Sequence, residues 1–96
     1  MPTNYEVTYI LRPNLEEDAV EAKITQFSEV LAGGGAEVGA IERMGKRRLA
    51  YEIDDLREGY YVVMQFKSSA AAAKELDRQL GLSEDVMRAL LINTDA

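Results

Sequence analysis

Apolar residues in this chain recur at every second position in some stretches and at every third or fourth in others, and the order of those stretches leaves few folds open to it. Tyr5, Val7, Tyr9 and Leu11 alternate with Glu6, Thr8, Ile10 and Arg12, a period of two carried by aromatic and β-branched residues, as in a strand. Ile10 interrupts the polar row, so part of the second face is expected to be apolar as well. Pro13 ends the strand because it has no N–H to give a ladder. Val20, Ile24, Phe27 and Leu31 then follow at spacings of four, three and four, on one side of a helix. Asn14 stands as the expected N-cap, with Glu17 at the capping-box position, and Glu16, Glu17 and Asp18 suit the positive end of the helix dipole. Gly33-Gly34-Gly35 closes the helix. This triple glycine is not a phosphate loop, which needs a strand before it, a helix after it and a Gly-Lys-Ser/Thr ending.

Ala36 to Ile53 reads as a long irregular strand. Val38, Ala40 and Ile41 are apolar near its start, Leu49, Tyr51 and Ile53 alternate near its end, and Gly45 between them marks a bulge or sharp twist. Asp54 to Gly59 carries turn chemistry. Tyr60, Val62, Met64 and Phe66 alternate with Tyr61, Val63, Gln65 and Lys67, a further strand that forms a hairpin with the one before it. Ser68 or Ser69 caps a second helix that begins in Ala70–Ala73, where alanine has the best helix propensity. Ala73, Leu76 and Leu80 share one face of it, and Gly81 is expected to end it with Leu82 folding back. Val86 to Asn93 makes a last strand, and the tail Asn93 to Ala96 is expected to fray. Strand, helix, strand, strand, helix, strand is the split βαβ, or ferredoxin-like, arrangement, an α+β fold with both helices on one face of a four-stranded antiparallel sheet. At 96 residues the chain is read as one domain over 1–96.

Composition narrows the chemistry. With neither cysteine nor histidine, the chain has no disulfide, no thiolate nucleophile and none of the commonest neutral-pH acid/base groups or metal ligands. The acidic pairs Glu16-Glu17 and Asp54-Asp55 lack the spacing of an oxygen-ligand loop, so helix capping and a solvated turn account for them. No catalytic residue, cofactor, metal or small-molecule substrate is expected. No apolar run approaches the roughly 18 residues of a membrane span. Met1 to Tyr5 does not begin a secretory signal.

The net charge of −6 taken alone argues against nucleic acid. Its distribution argues otherwise, because Arg43, Lys46, Arg47 and Arg48 put four of the eleven basic residues within six positions. Phosphate contact is the functional reading of this cluster; a charged strand edge that resists aggregation is the plainer one. Arg47 and Arg48 face opposite sides of a regular strand, so they do not share a phosphate. Arg47 has the parity of Leu49 and Tyr51, which places its stem against the core with its head at the surface. Arg12 and Arg88 are further candidates for RNA contact. Arg57 to Met64 matches the aromatic strand motif of RNA-recognition domains poorly, since Glu58 precedes the glycine where a basic residue belongs. Tyr60 is therefore expected half-buried, with Tyr61 on the other face. Tyr5, Tyr9 and Tyr51 are read as packing residues.

Met44-Gly45-Lys46-Arg47-Arg48-Leu49-Ala50-Tyr51-Glu52-Ile53, continuing through Gly59-Tyr60-Tyr61 to Phe66, closely resembles the second and third strands of the S-six family of bacterial small-subunit ribosomal proteins. Tyr5-Glu6-Val7 and Leu11-Arg12-Pro13 resemble that family's first strand and its exit. The resemblance spans most of the chain. It implies a ferredoxin-like fold and a structural role in the cytoplasmic ribosome. It also implies binding to the central domain of 16S ribosomal RNA together with the small basic ribosomal protein S-eighteen. The chain stops soon after its last strand, without the acidic tail of some members, so any function of that tail does not carry over. Two readings from other classes stand beside this one: a small-molecule-sensing or protein-interaction module acting as a homodimer, and a ferredoxin-like enzyme. Charge adds an expectation of its own. A body at −6 binds a polyanion weakly unless a basic partner offsets the repulsion.

Overall fold

The computed structural model describes residues 2–53 and 55–95. The chain runs β1 (Thr3–Leu11), α1 (Glu17–Gly33), β2 (Glu37–Ile53), β3 (Leu56–Ser68), α2 (Ala70–Leu82) and β4 (Val86–Asn93). The four strands form one sheet in the order β2-β3-β1-β4, with every neighbouring pair antiparallel. Alternation decides which face is covered. Val7, Tyr9 and Leu11 of β1 and Val62, Met64 and Phe66 of β3 meet Val20, Ile24, Phe27 and Leu31 of α1 and Ala73, Leu76 and Leu80 of α2 in one buried cluster. Both helices thus lie on the same face, in the split βαβ arrangement expected from the periodicity. The aromatic rings interlock there, Tyr9 edge-on to Phe27 at 5.3 Å and Tyr5 stacked on Phe66 at 5.4 Å between centroids.

The helix ends differ from the sequence reading in instructive ways. Asn14 does not cap α1. Arg12 to Leu15 form a turn in which the Leu15 N–H donates to the Arg12 carbonyl, with Pro13 and Asn14 in the two central positions that suit them. The cap falls on Glu16, whose backbone is extended (φ −75, ψ 161) and whose side chain makes no capping bond. Glu17 and Asp18 still occupy the first turn, where the dipole favours them. At the other end the triple glycine behaves as expected. Gly35 (φ 81) donates to the Ala32 carbonyl and Ala36 to that of Leu31, the paired bonds of a Schellman ending. The Ser69 side chain accepts from the Ala72 N–H and caps α2. Gly81 does not end α2. The helix continues through Leu82 and leaves in an extended conformation at Ser83 (φ −77, ψ 125), which requires no left-handed residue. Leu82 does not fold back but is 66 % exposed.

Two loops are tighter than anticipated. The turn expected over Asp54 to Gly59 contracts to the hairpin tip. Ile53 pairs with Leu56, and Asp55 takes the left-handed conformation (φ 64) that aspartate tolerates better than most side chains. Asp54 lies outside the described residues. Gly59 is within β3, and a Cβ placed there would overlap the Ile10 Cγ2, so the glycine lets the Ile10 methyl lie against the β3 backbone. The tail does not fray through Asp95. Thr94 donates to the Asn4 carbonyl, and the Asn4 backbone and side-chain amides donate to the two carboxylate oxygens of Asp95 at 3.0 and 2.9 Å. Ala96 lies outside the described residues.

Candidate nucleic-acid and partner interface

The basic cluster sits where β2 changes register. Gly45 adopts φ 79, and the pairing to β3 slips between Arg43 and Gly45, the bulge anticipated at this glycine. On either side of the slip Arg43 pairs with Val62, Lys46 with Tyr60 and Arg48 with Glu58, so all three lie at helix-side positions of the sheet. Arg47 pairs with Gly59 and belongs to the opposite, open side. Its stem does not lie against the core. The core occupies the other face, Arg47 is exposed, and its Nε donates to the Met44 carbonyl at 3.2 Å.

Register gathers the sequence candidates toward one end of the sheet. Lys46 faces Tyr60, which faces Leu11 at the end of β1, and Arg88 faces Ile10 from β4. Arg12 follows Leu11 directly. Its Nε donates to the Glu84 carbonyl at 2.7 Å and its N–H to that of Asp85, tying the β1 exit to the turn before β4. The cations differ in how they are engaged. Arg43 holds Glu21 of α1 through two bonds, Nε to Oε2 at 2.6 Å and Nη2 to Oε1 at 2.9 Å. That guanidinium holds the Glu21 carboxyl below the usual carboxylate range. Lys46, Arg47 and Arg48 are exposed and form no ion pair among the described residues. Tyr9 lies near the Arg43–Glu21 pair; burial raises its phenol pKa, and its hydroxyl has no hydrogen-bond partner among the described residues.

Beyond Tyr60, β2 and β3 continue as a two-stranded arm that β1 does not reach. A Glu52–Arg57 ion pair at 2.9 Å braces its tip. The arm bends over the uncovered face of the sheet. Leu49, Tyr51 and Ile53 line one side of a groove whose floor and far side are Ile10, Tyr61 and Leu90. Tyr51, read from sequence as a packing residue, is 57 % exposed, and the Arg88 guanidinium lies over its ring at 5.7 Å from the centroid. Leu90 (59 %) and Ile92 (43 %) are exposed on the same face, while Ile10 is buried.

Sequence reasoning anticipated the part of this apolar surface at Ile10 but missed its extent on β2 and β4, and it missed the contact of Glu21 with Arg43. A signal for the surface was present. Val86 to Ile92 is apolar at both parities, and once two helices cover one face, the other parity of an edge strand has nothing to cover it. Nothing in the spacing of Glu21 and Arg43 announces their contact, because it joins a helix to a strand past the glycine turn. Among the described residues no group of three or more Asp or Glu side chains could hold a metal ion, and no helix is long and apolar enough to cross a membrane.

Comparison with known proteins gives a consistent result. The family model of Ribosomal protein S6 matches residues 4–93. The small ribosomal subunit protein bS6 of Carboxydothermus hydrogenoformans is 52 % identical over 95 residues, covering 99 % of each chain. That of Desulforamulus reducens is 48 % identical over 89 residues, covering 93 % of this chain and 94 % of the relative. Among solved structures, 30S ribosomal protein S6 of Thermotoga maritima superposes with a TM-score of 0.91 at 26 % identity, covering 97 % of this chain and 88 % of that one.

Proposed function

The chain belongs to the ribosomal protein S6 family of the small ribosomal subunit, and from that premise we propose that it acts without catalysis, holding the central domain of 16S ribosomal RNA jointly with the basic ribosomal protein S-eighteen. It works as one domain over residues 1–96 in the cytoplasmic ribosome. One observation carries this reading: the sheet that bears the exposed basic strand β2 also leaves an apolar face uncovered, and Lys46, Arg47, Arg88, Tyr51 and Leu90 all belong to its end nearer Leu11. Lys46, Arg47 and Arg48 supply charge for phosphate, with Arg43, Arg12 and Arg88 flanking them. Tyr51, Leu90 and Ile92 supply apolar surface, which a polyanion does not need and a protein partner does.

Charge selects the partner. Two copies of this chain, each at −6, repel one another, which disfavours the homodimer reading although the same apolar face would serve it. A small basic protein is attracted to the acidic body, covers the open face and adds its own cations to those of β2. The pair then presents a joint basic surface, while this chain alone binds RNA weakly. Sedimentation through a sucrose gradient tests the assignment. The chain is expected to travel with the small subunit; recovery only as a free homodimer would overturn it.

A further inference from the structure

Arg43 differs from its three basic neighbours in one respect: its hydrogen-bonding edge is already occupied by an anion. Glu21 takes Nε and Nη2 together, a side-on bidentate geometry that a phosphate also adopts toward arginine. We propose that Glu21 is a place-holder for an RNA phosphate, and that Arg43 exchanges the carboxylate for the phosphate when the protein docks on RNA. The inference rests on the reading of β2 as an RNA-facing strand and adds a competing internal ligand to it.

Two observations support exchange over a fixed clasp. Arg43 shares the helix-side face of β2 with Lys46 and Arg48, so a phosphate backbone tracking those two passes the Arg43 side of the strand. The pair is open to water, with side chains 43 % and 52 % exposed, so opening it strands no charge in the interior. Water and salt screen an exposed pair, and a more highly charged phosphate competes for the same bidentate edge of the guanidinium. Glu21 also keeps Arg43 from drawing unrelated anions while the protein is free.

The test is a double-mutant cycle on the full chain, with its basic partner and a central-domain RNA fragment, measuring affinity and its salt dependence. Arg43→Ala should weaken binding and lower the salt slope by about one, the signature of one lost phosphate contact. Glu21→Gln should tighten binding between about 1.5-fold and fivefold, the range of a weak surface ion pair relieved of competition. In the Arg43→Ala background the same Glu21→Gln change should give no such gain. A loss of affinity in Glu21→Gln alone would make the pair a positioning clasp and overturn the exchange. Equal gains in both backgrounds would also overturn it, leaving Glu21 as a general repulsive charge. So would an unchanged slope in Arg43→Ala. Lys46→Ala and Arg48→Ala, measured in parallel, separate the two levels. If they lower the slope while the Arg43 and Glu21 variants do nothing, only the exchange fails. If all four do nothing, β2 is not the RNA strand. Thermal midpoints of all variants confirm that each is folded.

Discussion

On β1 and β4, alternate residues meet two different surroundings. Tyr9 faces Ala89 and Val7 faces Leu91 beneath the helices, while Thr8 faces Leu90 and Ile10 faces Arg88 on the uncovered side. The covered face is closed: Val7, Tyr9, Leu11, Phe27, Leu76 and their neighbours are buried completely or nearly so. The open face is also apolar in part, yet Leu90 and Ile92 remain exposed, and Tyr51 lies exposed across the groove from Leu90. A single exposed leucine needs no explanation, but a contiguous apolar patch does. The covered face accounts for folding, and the open face holds apolar surface that folding leaves unused. The same pleat that builds the core thus displays a second surface for binding.

The largest effects should come from exchanging the roles of the two faces. Phe27→Ala removes a fully buried ring in edge contact with Tyr9 and should cost about 3–5 kcal/mol by denaturant unfolding, a large fraction of the stability of a domain this size. Leu90→Ser on the open face should change stability by less than about 1 kcal/mol. It should nevertheless weaken association with the basic partner at least about tenfold, as loss of an apolar anchor does. A large stability loss in Leu90→Ser, or an unchanged partner affinity, would break the distinction between the faces.

Gly59 sharpens it from another side. Ile10 is the one residue of the open face that β1 buries, and it does so against the Gly59 backbone. Gly59→Ala should therefore destabilise by about 1–3 kcal/mol through overpacking, although it adds only a methyl group. A stabilised variant would show that Ile10 moves aside freely and that the groove floor is soft.

Smaller effects are expected from single cations. Lys46→Ala and Arg48→Ala should each lower the salt slope of binding to the partner–RNA complex by about one, with little change in thermal midpoint because both side chains are exposed. Unchanged slopes in both would move RNA contact to Arg12, Arg88 or backbone groups.

The least effect concerns the helix layer, remote from binding. Hydrogen bonds from Arg78 and then Gln79 hold the Glu75 carboxyl down at about 2, against an ordinary value of 4.5. A depressed carboxyl contributes stability above its unfolded pKa and loses it as pH falls through the folded one. Glu75→Gln should thus lower the thermal midpoint slightly at neutral pH, and the deficit should vanish between about pH 4.5 and 2. Partner binding should not change.

Much of the covered face was legible in the sequence, because burial imposes a period. The 4-3-4 spacing of Val20, Ile24, Phe27 and Leu31 and the alternation of Tyr60, Val62, Met64 and Phe66 both follow from which side meets water. Gly45 was legible as a bulge for a related reason, since a glycine inside a strand pattern has few other uses. Caps were read less well. Asn14 and Gly81 are each good cap residues, but a Pro-Asn turn took the first, and an extended exit at Ser83 left the second unneeded. The basic cluster was legible as composition. Its division between Arg43, held by Glu21, and three exposed neighbours was not, because a helix–strand contact leaves no period in the chain. The open face was half legible. Ile10 breaks the polar row of β1 and so signals it, whereas Leu90 and Ile92 lie in an apolar run whose two parities have different fates.

The division between a folding face and a binding face is tested most directly by titrating a central-domain fragment of 16S ribosomal RNA with this protein, with and without S-eighteen. If the open face recruits a basic partner and β2 then meets the RNA, affinity should be at least about tenfold higher with the partner present, a coupling of about 1.4 kcal/mol or more. Leu90→Ser should erase most of that gain while leaving the weak binding of the isolated chain unchanged. Equal affinity with and without the partner would contradict this reading and leave both the −6 charge and the uncovered apolar face without a role.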